Sequence, residues 1–212
     1  MRTYIVLDLE WNQSPIGKEG AVEAIPFEII EIGAVKLDEN LEYMSKFHEF
    51  ISPVVYNDIH HRIYELVHID INYLRDKGKK FLSVIDKFKQ WCYMDGQEPM
   101  FCTWGSMDLS ELQRNMAYHK QENFFEYPLF YYDIQKLFTL DKCEDPKERL
   151  PLEKAVRLLG LPIKGEFHHA LDDAYYTSLL FSKINFEALK VYKSLDLYRS
   201  PDSKEEEIYV KF

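Results

Sequence analysis

From Tyr4 to Glu10 the apolar residues Ile5, Val6, Leu7 and Leu9 come almost without interruption, the pattern of a buried strand. A polar stretch follows from Asn12 to about Ala24, punctuated by Pro15, Gly17 and Gly20. Glu28 to Leu37, rich in Ile and Val, predicts a second strand. Met44 to Ile51 alternates apolar and polar positions and predicts a third, ended by Pro53. Short links between the three predict an antiparallel meander. The period then changes. Phe81, Val84, Ile85, Phe88 and Trp91 or Cys92 follow helical spacing. Met100 to Trp104 reads as a short strand, Asp108 to His119 as a helix, and Leu129 to Ile134 as a further strand. Leu152, Ala155, Val156 and Leu159 mark a helix closed by Gly160, and Ala170 to Ile184 a long final helix. Strands first, then helices alternating with strands, predict an α/β domain with a mixed sheet flanked by helices.

The 212 residues suit one domain, taken as residues 1–190, followed by an extension over 191–212 that carries Asp202, Glu205, Glu206 and Glu207. That extension reads as a solvated tail or a docking segment, and no internal repeat interrupts the domain. An apolar fraction of 46% supports a sizeable core, and 15% aromatic residues argue against disorder. The net charge of −10 argues against a general nucleic-acid coat protein, because an acidic surface repels phosphates. It leaves room for an enzyme whose carboxylates hold divalent cations, since bound metal reverses the local charge. Cys92, Cys102 and Cys143 are scattered, with no C-x-x-C pair, and read as small core residues in a reducing compartment. No leader and no apolar run of membrane-spanning length is visible, so no membrane partner and a cytoplasmic location are expected.

Candidate chemistry begins with Asp8 and Glu10. Residues two apart in a strand share a face, here with Tyr4 and Val6. Two carboxylates at the end of an apolar strand are costly to bury without a cation, and Mg²⁺ or Mn²⁺ prefers oxygen ligands. The plainer alternative is a strand emerging into solvent. Asp108 follows the short strand, where it or Ser106 is also suited to capping the next helix. Near the end stands His168-His169-Ala170-Leu171-Asp172-Asp173-Ala174. On a helix Asp173 aligns with Ala170, Thr177, Leu180 and Ile184, a largely apolar stripe, so its carboxylate needs a partner. Asp172 is turned about 100° away, towards solvent or an ion pair. His168 would lie about 140° from Asp173 on a continued helix, so it is placed on the loop after Gly165, leaning over the site. An exposed loop histidine is the alternative. Trp11 and Trp104 adjoin these residues and suit base stacking or core packing. His61 and His68 lack further ligands at zinc spacing, and the Arg75, Lys77, Lys79 and Lys80 cluster reads as a solvated turn between helices, with guidance of a phosphate backbone as the alternative. No phosphate-binding G-x-x-x-x-G-K-[ST] loop and no G-x-S-x-G elbow is present.

In chain order these pieces read D-x-E, a mid-chain Asp, and H-x-A-x-x-D. Over about residues 3–185 this resembles the histidine branch of the DEDD superfamily of 3′–5′ exonucleases. Glu28 to Val35 looks like that family's second strand. Thr103-Trp104-Gly105, the Leu152–Gly160 helix and His168–Ala174 resemble its RNA-end-trimming and sporulation-inhibitor-like members. The resemblance implies a ribonuclease H-like fold and an exonuclease domain. It assigns Asp8, Glu10, Asp108 and Asp173 to two Mg²⁺ or Mn²⁺ ions and His168 to the general base. It implies release of nucleoside 5′-monophosphates from the 3′ end of single-stranded RNA or DNA. Two positions depart from the family pattern. Trp11 stands where many relatives have Thr beside the terminal sugar. His169 falls four residues before Asp173, where a tyrosine branch has its tyrosine, so choosing His168 rests on the five-residue offset. A catalytically silent nucleic-acid-binding or partner-docking module is the rival reading, and clustered carboxylates serve it no purpose.

Overall fold

The computed structural model describes residues 2–96, 98–125, 130–145 and 147–186, and within them β1 (Arg2–Gln13) is the axis of a five-stranded sheet. β2 (Phe27–Leu37) and β3 (Tyr43–Phe50) follow it as the expected antiparallel meander. β4 (Glu98–Thr103) and β5 (Tyr131–Asp133) add in parallel on the other side, giving the order β3-β2-β1-β4-β5. The helices are α1 (His61–Val67), α2 (Ile71–Lys77), α3 (Phe81–Cys92), α4 (Met107–Tyr118), α5 (Ile134–Lys142), α6 (Leu152–Leu158) and α7 (Ala170–Phe181). This is the mixed α/β sheet of a ribonuclease H-like fold. No described helix is long and apolar enough to cross a membrane.

Alternation along β1 splits the core between two layers. Ile5, Leu7 and Leu9 pack with Val84, Ile85 and Phe88 of α3 and with Leu109, Leu112 and Met116 of α4. Val6 and Val35 face the other way, into Leu137 and Phe138 of α5, Ala155 and Val156 of α6, and Leu180 and Phe181 of α7. Asp8 and Glu10, in step with Val6, therefore look towards α7. Each of these apolar side chains contributes roughly 1.5–3 kcal/mol when fully buried. Gly33 lets α7 come close: a Cβ there would stand 2.1 Å from the backbone of Ala170 and Leu171. Gly33 pairs with Asp8 across the β1–β2 ladder, so this close approach delivers the start of α7 to β1 beside Asp8.

Several boundaries differ from the sequence reading. Tyr131–Asp133 is a strand of three residues, and Ile134 begins α5 instead of ending β5. Leu129 lies outside the described residues. α5 went unread because Asp133 closes the strand and caps the helix at once, its Oδ1 accepting from the Lys136 amide at 2.9 Å. α4 begins at Met107, and α7 ends at Phe181. α1 and α2, seven residues each, are too short to display a periodic stripe. The basic cluster does form the turn between α2 and α3, with Lys79 paired to Glu49 and Lys77 to Asp76. His61 opens α1, and His68 caps it in the left-handed region. The extension over 191–212 lies outside the described residues.

Candidate active site

The parallel register carries β4 alongside Arg2–Val6 and ends it at Thr103, so the chain turns into α4 beside Asp8 and Glu10. Gly105, at φ +101°, makes that turn, and the Thr103 hydroxyl donates to its carbonyl at 2.7 Å. Asp108 then reaches back to β1. Its Oδ1 accepts from the Leu9 amide at 3.1 Å, between the two strand carboxylates. The capping alternative fails: Ser106 occupies the cap position without a side-chain bond, and Asp108 serves the strand. Asp173 arrives on the first turn of α7, with its Oδ2 accepting from the His168 amide at 3.1 Å. His168 stands on the loop, at φ +68°, and His169 occupies the N-cap position. Asp172 turns away and accepts from the Glu166 amide.

These residues share one pocket of about 440 Å³. Its wall includes Asp8, Glu10, Asp108, Asp173 and His168, with Trp11 and Trp104 at its sides. Ligand atoms of Glu10, His168 and Asp173 all lie within 4.8 Å of one another. Trp11 leans on Phe27, and Trp104 packs on Phe138 while its indole N–H donates to the Leu150 carbonyl at 3.2 Å. Both tryptophans thus combine packing with a place in the pocket wall.

Asp108 and Asp173 are buried, and Asp8 and Glu10 meet solvent only partly. Removal of water, reinforced by mutual repulsion, pushes Glu10 up to about 8. Burial likewise pushes Asp108 and Asp173 up to about 7, against the hydrogen bonds each accepts from backbone N–H groups. Asp8 is also raised well above the usual range, first by burial and then by Asp108, Asp173, Glu10 and Glu31. Among the described residues the positive charge near this cluster is too small to offset its carboxylates. Asp173 Oδ1 is buried and accepts no hydrogen bond from the described residues. An all-oxygen donor set with an orphaned carboxylate oxygen fits Mg²⁺ or Mn²⁺.

A fifth carboxylate, Glu31, was not singled out from the sequence. It lies opposite Glu10 in the ladder with a fully buried side chain. His48 Nε2 is 2.7 Å from its Oε1, and His169 Nδ1 lies 3.8 Å from its Oε2, an ionic contact longer than a hydrogen bond. Burial drives Glu31 upward, but the two imidazoles outweigh it and hold the group below its ordinary value. His169 is raised in return, chiefly by Glu31. His168 is exposed, yet the protein crowding its ring draws its pKa below the ordinary histidine value. The two adjacent histidines are therefore pushed in opposite directions.

The model of the exonuclease family known as RNase_T matches residues 5–181. The chain belongs to this exonuclease family. A comparison with curated proteins finds no match. Among solved structures the chain is similar to the nuclease domain of 3′hExo, a DEDDh family member bound to rAMP. That likeness has a TM-score of 0.71 at 19% identity, covering 85% of this chain and 90% of that one. A full-length 3′-exonuclease gives a TM-score of 0.68 at 19% identity, over 98% and 93% of the two chains. E. coli Exonuclease I in complex with a dT13 oligonucleotide gives 0.70 at 12% identity, over 91% of this chain and 43% of that one.

Proposed function

We propose that the protein removes nucleoside 5′-monophosphates one at a time from the 3′ end of single-stranded RNA or DNA, using two Mg²⁺ or Mn²⁺ ions. The observation that carries this reading is the convergence of Asp8, Glu10, Asp108 and Asp173 in one pocket, three of them raised to about 7 or 8 and the fourth higher than usual. A silent binding module has no use for so costly a cluster. The similar structures holding rAMP and a dT13 strand support a nucleic-acid substrate.

Asp8, Glu10, Asp108 and Asp173 would hold the ions. Ions bound there would acidify the attacking water, easing transfer of its proton, and would offset the charge on the departing 3′-oxygen. His168 takes the proton of the attacking water. An imidazole on an exposed loop, with its pKa drawn down, is neutral and able to accept that proton at pH 7. The Asp173–His168 backbone bond ties this loop to the carboxylate cluster. Trp11 and Trp104, at the pocket sides, offer faces on which terminal bases stack. Matched RNA and DNA oligomers, digested with Mg²⁺ or Mn²⁺ and then with chelator, test the reading. Nucleoside 5′-monophosphates should form only with metal, and undiminished activity in chelator would overturn it.

A further inference from the structure

The pocket is walled by carboxylates, yet its substrate is a polyanion. Among the described residues lining it, Arg149 is the one that carries a permanent positive charge. It lies on the connection between α5 and α6, outside every motif read from the sequence. Its Nη1 donates to Asp133 Oδ2 at 3.0 Å and to Gln135 Oε1 at 3.1 Å. Gln135 Nε2 in turn donates to the Leu150 carbonyl at 3.0 Å, the same oxygen that accepts from Trp104. Both the tip of Arg149 and the backbone beside it are thus fastened before any ligand arrives. The side chain remains 51% exposed, so the pairing with Asp133 stabilises the fold only weakly. Nη2 and Nε take no partner among the described residues, leaving one edge of the guanidinium to face a ligand. That edge matches two phosphate oxygens.

Resting on the exonuclease reading above, we propose that Arg149 is a substrate-binding residue that grips a phosphodiester of the strand neighbouring the scissile one. Among the described residues Arg149 pairs with Asp133 and Gln135 and makes no hydrogen bond or ion pair to Asp8, Glu10, Asp108 or Asp173, which sets it at the wall instead of among the reacting groups. Asp133 and Gln135 act through it as positioning residues. The carboxylates with their ions take the reacting phosphate, and Arg149 sets how the following strand enters.

The test compares wild type, R149A and R149K on two substrates at saturating metal. One is a single-stranded oligonucleotide. The other is thymidine 5′-monophosphate 4-nitrophenyl ester, which has one phosphodiester and no neighbour for Arg149 to hold. R149A should raise KM for the oligonucleotide roughly 10–100-fold with a much smaller change in kcat. The slope of log KM against log salt should fall by about one. The penalty on the ester should be several-fold smaller. R149K should recover the salt slope but only part of the KM, because a lysine is a point charge without the fork. Equal losses on both substrates, or an oligonucleotide KM and salt slope like wild type, would overturn the proposal. Should R149A fold poorly in a melting control, R149K carries the comparison through KM alone. A partial rise on the oligonucleotide with a smaller one on the ester is expected, and equal changes on both would overturn the proposal. Wild type that cleaves neither substrate would instead bring down the exonuclease reading itself, and this inference with it.

Discussion

At the scale of single residues, Asp8 and the two adjacent histidines make the sharpest distinctions. Asp8→Asn should abolish turnover, because it removes a carboxylate that would hold the proposed ions. It should also leave the metal-free protein as stable as wild type or more so, since Asp8 is surrounded by like charges. Melting and nuclease rate measured on one preparation check both halves, and a near-wild-type rate would rule out the assignment. His168→Ala should slow hydrolysis by roughly 10²–10⁴-fold, the scale of general-base loss, with metal affinity little changed. His169→Ala should cost far less, because His169 stands at the N-cap position of α7 with its ring towards Glu31 and Glu166. Single-turnover rates at saturating metal decide, and a crippled His169→Ala would move the base to the neighbouring position. The placement of His168 on the loop and of His169 at the start of the helix was legible in the sequence. The role of Glu31 was not, because it depends on which residue of β2 faces Glu10 and on a histidine from β3.

At the scale of elements, the site depends on how closely α7 approaches the sheet. Gly33→Ala would drive a methyl group into the backbone of Ala170 and Leu171. Backbone cannot rotate aside, so the cost should be on the order of 3 kcal/mol, or roughly 6–12 °C in melting temperature for a domain of this size. Activity should fall further than stability, since the displaced helix carries Asp173. A variant that melts and cleaves like wild type would show that the approach is not needed. The long strands and α3, α4, α6 and α7 were readable because each has an apolar stripe of the right period. β5 and α5 were not separable, because Asp133 belongs to both and the strand has only three residues. Arg149 escaped notice for a related reason: its place in the pocket is fixed by Asp133 and Gln135, at a junction the sequence pattern does not mark.

At the scale of the whole molecule, the carboxylate cluster should govern stability against pH. Glu10, Asp108 and Asp173 bind protons more tightly folded, at about 8, 7 and 7, than in an unfolded chain, where carboxylates titrate near about 4. The folded state therefore carries more protons between these limits, and stability falls as pH rises through them. In chelator the melting temperature should drop from pH 5 to pH 8, and Mg²⁺ or Mn²⁺ should reverse the drop by replacing protons in the cluster. A metal-free melting temperature that climbs over this range would contradict the charge accounting. The central claim, metal-dependent attack from the 3′ end, is tested most directly with a single-stranded oligonucleotide labelled in its 3′-terminal nucleotide. The first product with Mn²⁺ should be the labelled nucleoside 5′-monophosphate, absent after chelation. Label that stays on the longest fragments while material is lost from the 5′ end, or release that continues undiminished without metal, would contradict the account.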